Sequence, residues 1–213
     1  MELEELSLAV QKGKAKQVRD LVNQAIEEGV GVEKILNEGL IRAMGVVGEN
    51  FKLNKIYVPE MLVAARAMCA GLTILEPLMI ATGVKPLGKI VIGTVKGDLH
   101  DIGKNLVAMM MKGMGATVYD LGIDVPDSRF VEKAEEVGAD IVCISALLTT
   151  TMPAIGDVIH EFERAGVRGK YRIMIGGAPV NQKFAESVGA DVYTSNASDA
   201  AESAKSFLES IYA

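Results

Sequence analysis

The sequence predicts an N-terminal bundle of four helices followed by an α/β domain whose five strands form a parallel sheet. Apolar residues recur with the helical period up to about residue 82. From residue 89 onward, short β-rich runs alternate with stretches of helical pattern. The connector GVKPLG separates the helical pattern from the alternating strand and helix pattern. The predicted domains are therefore residues 1–88, which are helical, and residues 89–213, which are α/β.

The helical half has no run with the alternation of a strand. Its apolar stripes, such as Leu36, Leu40 and Met44, follow helical spacing. Pro59 falls in the first turn of the last stretch, where proline is tolerated. We expect antiparallel packing. The predicted helices lie near residues 2–12, 14–28, 31–49 and 57–82.

The second half has the order of a doubly wound, flavodoxin-like (Rossmann-like) sheet. Its strand candidates are KIVIGTV, TVYDLGI, DIVCISAL, RIMIGG and DVYTSN. Strands that alternate with helices are typical of a parallel sheet covered on both faces. Ligands of such sheets bind beyond the carboxyl ends of the strands, where the winding reverses between strands one and three.

Polar and glycine-rich segments collect at this predicted edge. The segment GDLHDIG follows strand one, and a hydroxyl run that ends at Thr151 follows strand three. Other candidates at the ends of strands three, four and five are Ser145, Leu147, Gly176, Gly177, Tyr193, Thr194 and Asn196.

His100 lies in the segment after strand one. A single histidine in a loop is ordinarily solvated, but Asp98, two positions earlier, can accept a hydrogen bond from one ring nitrogen. The other nitrogen then remains free as a metal ligand. The second histidine, His160, has no carboxylate placed to orient it and is interpreted as a surface or packing residue.

Composition excludes several classes of protein. With 49% hydrophobic and 23% charged residues, the chain can bury a core. A net charge of -6 argues against a nucleic-acid partner. The sequence has neither an uninterrupted apolar run of about 18 residues nor a signal sequence at its start, so no membrane partner and a cytoplasmic location are expected. Cys69 and Cys143 are interpreted as reduced core residues.

Three kinds of site are disfavoured. The cysteines lack the spacing of zinc ligands, and no helix carries a His-Glu-x-x-His pair. GTVKGDLHDIG differs from the dinucleotide motif GxGxxG. Ser145 lacks the GxSxG elbow of a hydrolase. A metal bound by this chain would therefore have to arrive inside a cofactor.

Three separated motifs resemble those of base-off/His-on cobalamin-binding domains. They are Asp98-x-His100-x-x-Gly103, Ser145-x-Leu147 and Gly176-Gly177. The segment VGENFKLNKIYVPEMLVAARAM resembles the helical cap of methionine synthase and of the corrinoid proteins of methylotrophic methyltransferase systems. Together the two resemblances cover nearly the whole chain.

The resemblance implies a cobalamin or related corrinoid with His100 as the axial ligand of cobalt. Asp98 would bond to the other ring nitrogen, and Ser145 would extend that relay. The displaced nucleotide tail would enter a slot past Gly103, where Gly176 and Gly177 would let its base lie against the backbone. Gly177→Leu is therefore expected to weaken binding severely while leaving the fold mostly intact. The other implied contacts are Gly97, Asp101, Ile102, Leu147, Thr149, Gly176, Ala178, Pro179, Tyr193, Thr194 and Asn196.

The resemblance also implies a methyl-carrying subunit and not a complete enzyme. Cobalt(I) would accept a methyl group from a substrate-specific methyltransferase and pass it as methyl-cobalt(III) to a second methyltransferase that acts on a thiol or folate. A reductive activase is a further candidate partner. The alternatives are the cobalamin module of an adenosylcobalamin mutase and a cobalamin-based sensor. Methylamine, methanol, betaine and aryl ether donors are not distinguished.

Overall fold

The computed structural model describes residues 3–212, and contacts divide the chain into two compact units. The first is Met1–Pro86 with Lys112–Gly115, and the second is Leu87–Met111 with Ala116–Ala213. The first unit is helical and the second is α/β.

The helical unit follows the predicted helices closely. A continuous helical stretch replaces the predicted third helix, and its middle is π-helical. At Gly39, in that π-helical segment, an added Cβ would lie 2.5 Å from Leu6 Cδ2, so the absence of a side chain lets the first helix approach closely. The elements are α1 (Leu3–Gln11), α2 (Ala15–Glu27), α3 (Val32–Lys34), the π-helical segment (Ile35–Ile41), α4 (Arg42–Lys52) and α5 (Val58–Thr82).

The long helix α5 buries one face in its unit and leaves other residues exposed. Its start is capped by the Glu60 carboxylate, which accepts a hydrogen bond from the Tyr57 N–H at 3.1 Å. The helix continues past Pro77 and ends at Gly83, whose φ is 73°. Among residues 3–212 it is the one helix long and apolar enough to cross a membrane by length and composition. Its buried face includes Met61 and Leu75, which are completely buried.

The α/β unit has the predicted topology. Its five strands are all parallel in the order β2-β1-β3-β4-β5, which confirms the flavodoxin-like class. The strands are β1 (Lys89–Thr94), β2 (Thr117–Asp120), β3 (Ile141–Ser145), β4 (Arg172–Gly176) and β5 (Val192–Tyr193). The helices are α6 (Ile102–Gly113), α7 (Asp127–Val137), α8 (Pro153–Arg164), α9 (Gln182–Val188) and α10 (Ala197–Tyr212), with a short 3₁₀ turn at Arg168–Lys170.

The central strands form the core of the α/β unit. Residues 141–144 of β3 are buried in succession, as expected for a parallel strand covered on both faces. Cys143 lies among them, and burial raises the pKa of its thiol to about 12. Cys143 and the half-buried Cys69 are both free thiols. Their interpretation as reduced residues therefore agrees with the structure.

Strands β3 and β4 approach so closely at their carboxyl ends that glycine is required. Gly177 has a φ of 130°, and an added Cβ would lie 1.8 Å from the carbonyl oxygen of Ala146. Both the backbone angle and the clash with a neighbouring backbone exclude a side chain here. The expectation that Gly177→Leu leaves the fold mostly intact is therefore wrong.

Gly177→Ala should lower the free energy of unfolding of the α/β unit by about 2 kcal/mol or more. The strain of a positive φ at a residue with a side chain and the clash with the Ala146 carbonyl both contribute to this loss. Gly103→Ala is the matched control, since an added Cβ there meets nothing within 4 Å. Urea unfolding of the two unliganded variants, followed by circular dichroism, measures the difference. Equal midpoints for Gly177→Ala and the parent would contradict the close approach at Ala146.

Candidate functional site

The loop between β1 and α6 is held by hydrogen bonds on both sides. The buried Thr94 hydroxyl donates to the backbone carbonyl of His100 at 2.9 Å. The Gly97 N–H donates to the Asp124 carboxylate at 2.7 Å, and the Asp124 N–H donates to the backbone carbonyl of Asp98 at 3.0 Å. Because these bonds fix the backbone around His100, the imidazole is attached to a rigid loop.

Asp98 and His100 form the predicted pair. The side chain of Asp98 is fully buried, whereas that of His100 is 49% exposed. One carboxylate oxygen, Oδ1, lies 2.9 Å from His100 Nδ1 and accepts the His100 backbone N–H at 3.0 Å. With the ring proton on Nδ1, Nε2 keeps its lone pair for a ligand role. The geometry therefore suits a supported, partly exposed axial ligand.

The second oxygen of Asp98 is held by the loop between β3 and α8. It accepts the Leu147 N–H at 2.8 Å and the Thr151 hydroxyl at 2.7 Å, with the Leu148 N–H at 3.4 Å. Burial alone would raise the pKa of Asp98, but the hydrogen bonds from Thr151, Leu147 and His100 outweigh it and hold that pKa below its usual range. Asp98 is therefore a fixed carboxylate that joins two loops.

Ser145 does not extend the relay in this structure. It ends β3, level with Thr94 of β1 and Gly176 of β4. Within the described part of the chain, no hydrogen bond joins its hydroxyl to Asp98, and Thr151 supplies the hydroxyl instead. The run of three threonines after strand three was the sequence signal for this residue, but the choice among them depends on the turn that precedes α8.

The first turn of α6 carries an ion pair that the motifs did not predict. The buried Lys104 ammonium donates to both oxygens of Asp120, at 2.6 and 2.7 Å, and to the Asn105 side-chain carbonyl at 2.7 Å. The Asn105 amide in turn donates to the Asp101 carboxylate at 3.0 Å. This network ties the start of α6 to the end of β2. Gly103, between these groups, faces open space.

Apolar side chains are exposed on the same two loops. Large hydrophobic residues are ordinarily found inside, so a cluster of exposed ones marks a binding surface. Leu99 and Ile102 flank His100 in sequence and are 68% and 77% exposed. Leu147 and Leu148, next to the Asp98 anchor, are also exposed. The partly exposed imidazole is thus accompanied by apolar surface suited to a large, partly apolar ligand.

The remaining predicted contacts follow β4 and β5. An added Cβ at Gly176 would lie 3.3 Å from the Thr194 carbonyl oxygen, so these two strand ends are neighbours. Asn196 accepts the Asp199 N–H at 2.9 Å and stabilises the start of α10, a local role that the motifs did not predict. Ala178 and Thr149 are exposed, and Pro179, Tyr193 and Thr194 are partly buried. His160 is exposed on α8, as predicted.

The donor set fits a metal that is already enclosed in a macrocycle. Among residues 3–212, no group of three or more His, Cys, Asp or Glu side chains could hold a metal ion. A protein-built zinc or iron centre needs such a group. A corrinoid brings its own equatorial ligands and would need one axial donor, a role that the supported His100 nitrogen fits. The exposed leucine and isoleucine side chains would offer apolar contact to its ring.

Comparisons with known proteins agree with this fit. Models of the B12 binding domain match residues 88–205 and, for a second B12 binding domain family, residues 2–76. The chain is 45% identical to dimethylamine corrinoid protein 2 of Methanosarcina acetivorans over 97% of this chain and 95% of that one.

Two solved structures are also similar. The structure of a cobalamin-binding protein from Desulfitobacterium hafniense DCB-2 is 29% identical, with a TM-score of 0.77 over 97% of this chain and 98% of that one. A chain of a methanol:cobalamin methyltransferase complex from Methanosarcina barkeri is 30% identical, with a TM-score of 0.87 over 96% of this chain and 78% of that one. The chain belongs to the B12-binding corrinoid protein family, and its cofactor is a cobalamin or a related corrinoid.

Proposed function

We propose that this chain is a methyl carrier, whose corrinoid receives a methyl group from one methyltransferase and gives it to a second. The Asp98–His100 pair carries the proposal, because it presents one supported imidazole nitrogen at a partly exposed position. The names of the relatives support it too, since they include a dimethylamine corrinoid protein and a methanol:cobalamin methyltransferase complex.

His100 is the proposed axial ligand, through Nε2. When bound, the corrinoid supplies a cobalt that accepts and releases a methyl group. The chain binds and orients that group. Asp98 would keep the His100 proton on Nδ1, so that Nε2 has a lone pair to offer the metal.

We further propose that the nucleotide tail of the corrinoid lies along the carboxyl ends of β3, β4 and β5. Gly103 faces open space in the first turn of α6. The exposed Leu147 and Thr149 lie on the loop between β3 and α8. Gly176 has no side chain at the end of β4, where the backbone lies close to the Thr194 carbonyl. Glycine on two sides leaves room for a flat group to approach the backbone.

The partners are the substrate-specific methyltransferase and a second methyltransferase with a thiol or folate acceptor, with a reductive activase to restore the reduced cofactor. The dimethylamine name carried by relatives makes a dimethylamine methyltransferase the first partner to test. A cytoplasmic location accords with this role. We do not propose that the chain catalyses the complete methyl transfer alone, because activation of the methyl donor is assigned to the partner methyltransferase.

His100→Ala should abolish the nitrogen coupling from imidazole in the electron paramagnetic resonance spectrum of the cobalt(II) form, since the variant lacks the axial donor. Part of the affinity for cobalamin should remain through the tail contacts. His160→Ala is the matched control because His160 is exposed on α8. An unchanged coupling in His100→Ala would refute the axial assignment.

Gly103→Leu should weaken cobalamin binding by at least about tenfold, because a leucine side chain would fill space that the tail needs. The fold should persist, since an added Cβ meets nothing within 4 Å. Gly169→Leu is the control, because this glycine is equally open but precedes β4, at the opposite edge of the sheet. Equilibrium dialysis with cobalamin compares the variants. Parental affinity in Gly103→Leu would mean that the tail lies elsewhere.

Methylation of the reduced holoprotein should depend on a partner. A quaternary or protonated amine is a poor electrophile, so it must be oriented or activated before cobalt(I) can attack its methyl group. Holoprotein mixed with dimethylamine alone should stay unmethylated, and addition of a dimethylamine methyltransferase should produce the methylated form, measured by absorbance and by chromatography of the extracted corrinoid. Rapid methylation by the amine alone would show that the chain is itself an enzyme.

A further inference from the structure

We propose that Asp124, in the loop between β2 and α7, is a positioning residue for the axial ligand, and that it fixes the backbone segment Gly97–Asp98 from which His100 is presented. This inference rests on the proposed function and deepens it. It assigns a role in cofactor binding to a third loop at the carboxyl edge of the sheet, beside the loops that follow β1 and β3.

Asp124 has an unusual backbone conformation. Its φ is 52°, and among residues 3–212 it shares a positive φ with only one other residue that is not glycine, Asn54. Side chains are disfavoured in this left-handed region, although aspartate and asparagine tolerate it better than most residues do. A residue keeps such a conformation where its surroundings impose it, and residues of this kind cluster at functional sites.

Two hydrogen bonds join Asp124 to the loop after β1. Asp124 Oδ1 accepts the Gly97 N–H at 2.7 Å, and the Asp124 N–H donates to the backbone carbonyl of Asp98 at 3.0 Å. The first bond has a charged acceptor, which accords with its short length. One residue thus holds the N–H at the start and the carbonyl at the end of the Gly97–Asp98 segment, and His100 follows two positions later.

This segment needs an external restraint because it begins with glycine. Gly97 has a φ of 82°, and a Cβ added there would meet no atom closer than Thr151 Cγ2, at 3.9 Å. Glycine adopts positive and negative φ about equally readily. The direction in which the chain leaves Gly97 is therefore determined by hydrogen bonds and not by the residue's own preference. The Asp124 carboxylate supplies the bond to its N–H.

The loop that carries Asp124 is itself fixed to β1. The Thr94 N–H donates to the carbonyl of Gly122, and the Thr94 carbonyl accepts the Val125 N–H, both at 3.0 Å. Val125 is 3% exposed. Because hydrogen bonds on both sides of Asp124 hold the backbone of this loop, the Asp124 carboxylate reaches Gly97 from a fixed position.

The loop that carries His100 is thus restrained from two sides, since β1 lies between β2 and β3. From the side of β3, the Leu147 N–H binds the Asp98 carboxylate. From the side of β2, Asp124 binds the Asp98 backbone. The imidazole is hydrogen-bonded to that carboxylate and covalently attached to that backbone, so a single ring orientation requires both restraints.

Loss of the Asp124 carboxylate should release the Gly97 N–H and leave other restraints in place. The Asp98 N–H still donates to the Val95 carbonyl at 3.1 Å. The effect should therefore be that of one hydrogen bond, which corresponds to about a fivefold change in such an equilibrium. We expect the ratio of imidazole-bound to imidazole-free cobalt(II) to fall about fivefold.

The experiment uses the full chain reconstituted with cobalamin and reduced to cobalt(II). Asp124→Gly removes the carboxylate and keeps free access to a positive φ, whereas Asp124→Asn keeps both an oxygen acceptor and tolerance of that φ. Asn54→Gly is the matched control, because it replaces the other left-handed residue, in the loop between α4 and α5. The readout is the ratio of bound corrin with and without nitrogen coupling in electron paramagnetic resonance. Thermal unfolding of each unliganded variant measures stability separately.

Asp124→Gly should show the fivefold fall in this ratio, and Asp124→Asn and Asn54→Gly should keep the parental value. A role confined to folding would change the melting temperature and the amount of corrin bound, but not the ratio among bound corrin. Should Asp124→Gly fold poorly, Asp124→Ala serves as the second variant without the acceptor.

Three results would overturn the inference, and they differ from failure of the proposed function. They are a parental ratio in folded Asp124→Gly or Asp124→Ala, an equal fall in Asp124→Asn and Asp124→Gly, and an equal fall in the control Asn54→Gly. Absence of nitrogen coupling in the parent protein would instead reject the axial role of His100, and the inference would fall with it.

Discussion

The site depends on one buried charge, the carboxylate of Asp98. Burial of an ion in a protein costs several kcal/mol unless hydrogen bonds replace its hydration. Here five donors lie on its two oxygens: the His100 N–H and ring nitrogen on one, and the Leu147 N–H, the Leu148 N–H and the Thr151 hydroxyl on the other. Because the donors come from the loops after β1 and β3, the carboxylate can be satisfied only when both loops are in place.

The strand order brings those loops together. Since β1 and β3 are neighbours and parallel, their carboxyl ends lie at the same edge, and the chain winds away from them in opposite directions. A crevice at this edge is inherent in the topology. The fold thus supplies the place, the residues after β1 supply the proposed ligand, and those after β3 supply hydrogen bonds to the carboxylate that supports it.

Much of this could be read from the sequence. Periodicity and glycine punctuation predicted the two halves and the five parallel strands. The contact between Asp98 and His100 could also be predicted, because the two residues lie close together in the sequence.

Contacts between residues far apart in the sequence were harder to predict. Thr151 was one of three consecutive hydroxyls, and the turn before α8 decides which one reaches Asp98. Gly177 was assigned to a ligand slot, but its positive φ and contact with Ala146 depend on how two strands meet. The Lys104–Asp120 pair joins a helix to a strand edge, and no motif records it.

The contrast in exposure between Asp98 and His100 explains how one small chain could serve the two partners proposed for it. A buried carboxylate with many donors is rigid, because each donor restrains a different rotation. The imidazole it holds is half exposed and flanked by exposed apolar side chains, so binding energy is available at the surface while orientation is determined in the interior. A carrier needs this separation. Its cofactor must keep one orientation on the protein, yet its reactive side must remain open to enzymes that supply their own specificity for donor and acceptor.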